Sequence, residues 1–135
     1  MPDTSARYQQ GMQTRRKVLG DAHVDAASAN TTMFTEAFQT LITEAAWGNL
    51  WSRETISLRE RSMLTIALLA AGGHDEELAM HVRATQNTGA SLDDIKEALL
   101  HVAIYAGVPA ANHAFKIAAA AHATLTTPSQ ETNHA

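Results

Sequence analysis

Apolar residues recur every three or four positions along much of the chain, which is the pattern of amphipathic helices. The clearest example is the segment 32–46, and a second apolar stripe in residues 6–19 predicts a helix that ends at Gly20. No segment shows the alternation of apolar and polar residues that is typical of a half-buried strand. The sequence therefore predicts an all-α fold. The apolar positions of segment 32–46 are Phe34, Ala37, Phe38, Leu41, Ile42 and Ala45.

Four further helices are predicted from start and stop signals. Ser57 to Glu60 form a capping-box pattern, and Ser91 precedes two acids that suit the N-terminal end of a helix dipole. Pro109 lacks a backbone donor, so "YAGVP" is expected to interrupt the chain between the last two helices. The segment "WGNLWSRET" is expected to be a loop with exposed tryptophans. The sequence therefore predicts about six helices in all, at approximately residues 6–19, 32–46, 57–71, 75–88, 91–106 and 110–125.

Composition limits the class of protein. The 135 residues, 45% of them hydrophobic and 18% charged, predict one globular domain over residues 1–125 and a disordered tail at 126–135. The net charge of −4 and the absence of a long basic run argue against nucleic acid as a partner. No apolar run is long enough to span a membrane, and "MPDTSARYQQ" does not resemble a signal peptide. We therefore expect a cytoplasmic protein.

The absence of cysteine narrows the possible chemistry. Disulfides, thiolate nucleophiles and zinc–thiolate sites are excluded, since the chain contains no cysteine. Histidine, acids, arginine, tyrosine and hydroxyl groups remain as candidates.

"HDEELAMHVRA", residues 74–84, concentrates such groups on one predicted helix. His74, Glu77 and His81 lie at i, i+3 and i+7, so they form one line along the helix, here called the first acid–histidine line. Glu77 would orient His81 and favour its protonated form, which makes His81 a candidate proton donor. The alternative is a surface ion pair beside a packed histidine. Glu76 and Arg83 are aligned on a separate edge.

The next predicted helix repeats the geometry. Glu97, His101 and Tyr105 follow each other at intervals of four residues and form the second acid–histidine line. A partly buried histidine that is satisfied by its neighbours is the preferred interpretation of this line, and a catalytic histidine is the alternative. If the two helices are antiparallel neighbours, the two lines could enclose a polar pocket.

Arginines are the candidate groups for binding carboxylates, because the guanidinium fork matches a carboxylate in a bidentate manner. Arg61 lies near the start of its helix and could face the pocket, whereas Arg59 is expected to be solvated. The cluster Arg15-Arg16-Lys17 is interpreted as a solvated helix end, in preference to the alternative of a ligand site. No metal site is expected, because the spacing of His74, Glu77 and His81 differs from the His-x3-His of helical zinc motifs.

A family resemblance extends over about residues 7–125. The segments "RYQQGMQTRRKVLGDAHVDAA", "AWGNLWSR" and "RERSMLTIALLAAGGHDEELAMHVRATQNTGASLDDIKEALLHVAIYAGVPAANHAF" resemble the 4-carboxymuconolactone decarboxylases of the alkylhydroperoxidase-like superfamily. "VLGDAHVD" and "AWGNLW" are the parts more specific to the decarboxylase branch. In the peroxidase branch, cysteines occupy the positions that correspond to His74 and Glu77, so this chain lacks the thiols of that chemistry.

This resemblance implies an all-helical fold assembled as a ring-shaped homo-oligomer, a trimer or hexamer. It implies decarboxylation of 4-carboxymuconolactone, a small dicarboxylate lactone, to 3-oxoadipate enol-lactone. That reaction belongs to the protocatechuate branch of the β-ketoadipate pathway and uses no cofactor. On this basis we expect His81, Glu77, His101 and Tyr105 to be catalytic. We expect the substrate to be bound by Arg83, Arg61 and His74.

Two other functions fit the same residues. One is an enzyme of the same fold that acts on a related lactone or β-keto acid. The other is a helical oligomer that binds an aromatic-acid metabolite without converting it.

Overall fold

All the secondary-structure elements of the described range are helices, joined by short turns and loops. The computed structural model describes residues 5–134, with side chains described over residues 5–125, and no strand occurs in that range. The tail predicted at 126–135 lies outside the described side chains and stays a prediction. The helices are α1 (Ala6–Leu19), α2 (Asp21–Ala29), α3 (Glu36–Ile42), a π-helix (Thr43–Trp51), α4 (Leu58–Gly72), α5 (Asp75–Thr88), α6 (Leu92–Tyr105) and α7 (Val108–His134).

The all-α prediction is confirmed, but the expected number of helices was wrong. Within the described residues there are seven α-helices and one π-helix rather than about six helices. α2 was missed because it has nine residues and only one buried side chain, Val24, which gives no periodic stripe. The segment "WGNLWSRET" is not entirely a loop, since the π-helix continues α3 as far as Trp51. The other predicted boundaries agree with the structure to within a few residues, except that α7 extends to His134 whereas the last helix was predicted to end near residue 125.

The chain is divided into two compact units, with the boundary between Ser57 and Leu58. A single domain over residues 1–125 stays a prediction.

In the first unit, α1 packs directly on the π-helix at two glycines. A Cβ on Gly11 would collide with the carbonyl oxygen of Thr43 and would lie 2.9 Å from the Gly48 nitrogen. A Cβ on Gly48 would lie 2.7 Å from the carbonyl oxygen of Arg7. The two backbones are therefore in contact, which only residues without a side chain allow here.

The two tryptophans belong to this interface region and are not exposed as the sequence suggested. Trp47 and Trp51 are buried, and their ring centroids lie 5.2 Å apart at a tilt of 36°. Helical winding through the π-helix places both rings on the same side of the backbone, where they pack together. A loop, as expected from the sequence, would not impose this arrangement.

Arg15 also departs from its predicted environment. The cluster Arg15-Arg16-Lys17 was expected to be solvated, and Lys17 is exposed. Arg15, however, is only 8% exposed. Arg16 bonds two acids of α2, Asp21 at 3.0 Å and Asp25 at 2.8 Å. The prediction was wrong for Arg15 because consecutive helical residues point in directions about 100° apart, and Arg15 is on the buried side.

The second unit is a cluster of four helices in which α4 and α7 each pack against both α5 and α6. Its core combines branched side chains of α4, α5 and α6 with a row of alanines on α7. The alanines allow α7 to approach its neighbours closely, as its composition suggested. The row consists of Ala111, Ala114, Ala118 and Ala121.

The start of α6 is fixed by a capping box and an ion pair. The Asp94 carboxylate accepts the Ser91 backbone N–H, and the Ser91 hydroxyl accepts the Asp94 N–H at 3.0 Å. Arg59, which was expected from the sequence to be solvated, donates from Nε and Nη2 to the two Asp94 oxygens at 2.7 Å each. Hydrogen bonds from Arg59 and then from the Ser91 backbone hold the pKa of Asp94 well below its usual range.

This carboxylate makes stability depend on acid pH. Because the folded-state pKa is lowered, Asp94 contributes stability above the ordinary carboxyl pKa of about 4, and the contribution is lost progressively at lower pH. We expect Asp94→Asn to lower Tm at pH 7 and to flatten the decrease in Tm between pH 5 and 2. Asp93→Asn is the matched control, since Asp93 faces only Lys96 at 3.2 Å. Identical pH profiles for wild type and Asp94→Asn would contradict this role.

Several large apolar side chains are exposed on each unit. In the first unit the apolar stripe of segment 32–46 does not enter a core, since α3 has no buried residue. Its exposed side chains include Met33, Phe34, Phe38 and Leu41. In the second unit, α4 exposes Leu64 and Leu68, and α6 exposes Leu100, Ile104 and Tyr105.

Among the described residues, every helix is too short or too polar to cross a lipid bilayer.

Candidate active site

His81 is the buried member of the first acid–histidine line. It lies in the middle of α5, and only 6% of its surface is exposed. Val82 beside it belongs to the core of the second unit. An imidazole in such an environment is shielded from bulk water, and this favours specific proton transfer to a bound molecule.

Glu77 and His74 do not surround His81 as expected. Glu77 is exposed and forms no hydrogen bond or ion pair with any residue in the described part of the chain. His74 is the N-cap residue of α5, and its ring folds back over Gly72, where a Cβ would lie 2.8 Å from the ring. The three residues therefore lie in line along the helix, but their side chains do not interact with one another.

The second acid–histidine line lies on the surface. Glu97, His101 and Tyr105 are exposed, Tyr105 by 86%. The His101 and Tyr105 rings are stacked, with centroids 6.3 Å apart and planes at 12°. The partly buried histidine considered from the sequence is therefore not observed.

These side chains line an open hollow of about 310 Å³, together with Leu100 and Ile104. We call this five-residue surface the α6 outer face. It combines two apolar side chains with a carboxylate, an imidazole and a phenol.

The two lines do not enclose a common pocket within one chain. α5 and α6 both pack on α4 and α7, which separates them, and they are not the directly neighbouring pair that a shared pocket would require. The His81 ring is buried, whereas those of His101 and Tyr105 point to solvent. A site that used both lines would need groups from a second copy of the chain.

The two candidate arginines have contrasting environments. Arg61, in the first turn of α4, is buried. Arg83 is exposed on α5 and forms no ion pair with Glu76 or with any other described residue. Its guanidinium is therefore available to an external carboxylate.

A metal-binding cluster was not expected from the sequence. Within the described range, no group of three histidine or acidic side chains has the geometry to hold a metal ion.

Comparison with known proteins identifies the family. The model of the carboxymuconolactone decarboxylase family matches residues 36–120, which is more than half of the chain and includes both acid–histidine lines. The chain belongs to the carboxymuconolactone decarboxylase family. The resemblance noted in the sequence is thereby confirmed.

Individual members of the carboxymuconolactone decarboxylase family are also similar. The "4-carboxymuconolactone decarboxylase" of Acinetobacter baylyi is 45% identical over 112 residues, which is 83% of this chain and 84% of the relative. A protein of the same name from Pseudomonas putida is 49% identical over 47 residues, 35% of this chain and 98% of the relative. The "nitrosuccinic acid decarboxylase npaB" of Metarhizium robertsii is 40% identical over 102 residues, 76% of this chain and 71% of the relative.

Proposed function

We propose that this protein decarboxylates 4-carboxymuconolactone to 3-oxoadipate enol-lactone in the cytoplasm, as part of aromatic-acid breakdown. The observation that carries the proposal is the 45% identity to the Acinetobacter baylyi decarboxylase, which extends over more than four fifths of both chains. The exclusion of thiol chemistry agrees with it, since the chain contains no cysteine.

The reaction can proceed without a cofactor because the substrate carries its own electron sink. The departing carboxylate is on a saturated ring carbon attached to the double bond that is conjugated with the lactone carbonyl. When the C–C bond to the carboxylate breaks, its electron pair moves through that double bond to the carbonyl oxygen, giving a dienolate. Carbon dioxide leaves, and a proton is then added to a ring carbon. The protein must bind the remaining carboxylate, stabilise the dienolate oxygen and supply this proton.

His81 is the residue to which we assign proton donation. A general acid must be within hydrogen-bond reach of the atom that it protonates, and a site that excludes bulk water strengthens its interaction with a bound substrate. Among the candidate histidines, His81 is buried whereas His74 and His101 are exposed. In this assignment Glu77 affects His81 electrostatically from one helical turn away and is not its hydrogen-bond partner.

His101, Tyr105 and Arg83 are exposed in the single chain, so their proposed roles require an enclosed site in an assembly. We propose a homo-oligomer, a trimer or hexamer, in which a second copy covers these groups. The large exposed apolar side chains of α3 in the first unit, and of α4 and α6 in the second unit, support this, because burying such side chains against another chain is favourable. Sedimentation equilibrium should give three or six times the chain mass of 14.5 kDa, and a monomer at micromolar concentration would contradict the assembly.

Within such a site, Arg83 and Arg61 are the groups to which we assign the substrate carboxylates, with His74 at the margin. His101 and Tyr105 would donate hydrogen bonds to the lactone oxygens.

A second candidate substrate is suggested by the 40% identity to the nitrosuccinic acid decarboxylase. In nitrosuccinate the nitro group is on the same carbon as one of the carboxylates. When that carboxylate leaves as carbon dioxide, the electron pair of the broken C–C bond moves to the nitro group to give a nitronate, as it moves to the carbonyl oxygen in the lactone, and the carbon is then protonated. For both substrates the protein must therefore stabilise the negative charge on the electron-accepting group and supply a proton to carbon.

Turnover measurements separate these candidates. Purified protein is incubated with freshly generated 4-carboxymuconolactone and, separately, with nitrosuccinate, and carbon dioxide release is followed with and without a chelator. We expect kcat/KM to be at least 100-fold higher for the lactone and unchanged by the chelator. A higher kcat/KM for nitrosuccinate would assign the second activity. Binding of the lactone without release of carbon dioxide would show that the protein is a binding module.

A further inference from the structure

The guanidinium of Arg15 is a buried cation that the proposed reaction does not use. Arg15 lies on α1 in the first unit, and its Nη1 and Nη2 donate to Thr43 Oγ1 and Gln39 Oε1, both at 3.3 Å. Both acceptors are neutral, and both bonds are longer than usual for a charged donor. Burial lowers the pKa of Arg15 below its ordinary value, because the charged form loses its hydration.

Two other arginines of this chain have carboxylate partners of the kind that Arg15 lacks among the described residues. Arg16, the next residue, bonds two carboxylates of α2, and Arg59 holds Asp94 in a bidentate manner. Arg15 has no carboxylate partner among the described residues, and its Nε is buried without a hydrogen-bond acceptor. A buried charge without an opposite charge is costly, so retaining one here requires a compensating interaction.

The groups around Arg15 are held rigidly. The Thr43 hydroxyl donates to the Gln39 carbonyl at 2.7 Å while accepting from Arg15, so its orientation is determined. Thr43 is the first residue of the nine-residue π-helix, and π-helical segments occur frequently at functional sites. The contact at Gly11 fixes α1 against this segment. The guanidinium is therefore positioned before any ligand arrives, which lowers the entropic cost of binding.

We propose that Arg15 is the binding group of a small-carboxylate site in the first unit. The Nη N–H groups that Thr43 and Gln39 do not engage would donate to the two oxygens of a mono- or dicarboxylate, which supplies the missing negative charge. A small anion is the favoured occupant because so little of the Arg15 surface is accessible from outside. This inference is independent of His81 and of the decarboxylation reaction.

The two tryptophans provide a direct readout that requires no activity. Trp47 and Trp51 are the only tryptophans of the chain, and both lie in the π-helix that supplies Thr43. Intrinsic fluorescence therefore reports on this segment alone. We expect titration with succinate or acetate, at ionic strength matched with sodium chloride, to change the emission saturably.

Variants at neighbouring positions test whether Arg15 is responsible. Arg15→Gln should weaken carboxylate binding at least tenfold, since a charge-assisted pair is lost. Arg15→Lys should weaken it less, because the charge remains but the bidentate fork does not. Arg16→Gln is the matched control and should bind as wild type does, because Arg16 bonds α2 instead. Circular dichroism shows whether each variant is folded. If Arg15→Gln does not fold, the carboxylate affinity of Arg15→Lys tests the proposal.

Several results would overturn the proposal. One is the absence of a saturable response to both carboxylates in the wild type. Another is equal affinity in wild type and in the folded variants of Arg15. A third is a loss of oligomeric assembly in Arg15→Gln without carboxylate binding by the wild type, which would show that a second copy provides the negative charge instead.

Discussion

Replacing His81 by alanine should reduce kcat for 4-carboxymuconolactone at least 100-fold. Loss of a general acid costs about 10²–10⁴ in rate, because the proton must then come from a less favourably placed donor. The other histidines of the two lines cannot easily substitute, since His74 folds over Gly72 and His101 lies at the surface. Initial rates at saturating substrate measure the effect.

Because His81 is buried, its replacement also affects packing, and controls must separate the two effects. His81→Asn retains a polar side chain of smaller volume and should show a similar loss of kcat with a smaller change in Tm. His113→Ala is the matched surface control: its ring is exposed and bonds Asp75 at 2.9 Å, so kcat should stay within about twofold. A folded His81→Ala protein with near wild-type turnover would remove His81 from the mechanism.

The Gly11→Ala variant should lose stability even though alanine is the better helix former. Intrinsic propensity favours alanine over glycine by about 1 kcal/mol inside a helix. The added methyl group, however, would collide with the Thr43 carbonyl and approach the Gly48 nitrogen, and both obstacles are backbone atoms. Forcing α1 and the π-helix apart costs roughly 1–3 kcal/mol or more, so the steric effect dominates.

Urea denaturation followed by tryptophan fluorescence measures this loss, since both tryptophans are in the π-helix. Gln10→Ala, at an exposed position of the same helix, should change the free energy of unfolding by no more than about 0.5 kcal/mol. A Gly11→Ala protein as stable as the wild type would show that the two helices do not pack as described.

Sequence patterns predicted the second unit well because its helices have strong local signals. Ser91 and Asp94 form the capping box where a helix start was expected. Gly89 ends α5 with a φ of 87°, a conformation that favours glycine. Pro109 lies at the start of α7, where its missing N–H has no helical acceptor to lose.

The first unit was harder to predict because its structure depends on tertiary contacts. The π-helix has no sequence signature of its own. It lies where its backbone is in contact with that of α1, at Gly11 and Gly48. Periodicity also identified an apolar face on α3 but could not show that this face is exposed in the single chain. A short basic run likewise gives no sign that Arg15, unlike its neighbours, is buried.

The candidate site was predicted in part. The register of both acid–histidine lines follows from helical spacing, and the structure keeps that register. Which ring is buried depends on how the helices pack, and α5 and α6 pack on α4 and α7 instead of facing each other. The separation of His81 from His101 therefore could not be derived from the spacing alone.

The pH dependence of kcat for the wild-type protein tests most directly whether an imidazolium delivers the proton. If His81 is the donor, kcat for 4-carboxymuconolactone should decrease as the pH is raised and the ring loses its proton. The decrease should be absent from the residual activity of His81→Asn. A wild-type kcat that stays constant between pH 5 and 9 would contradict the mechanism and assign proton transfer to another acid.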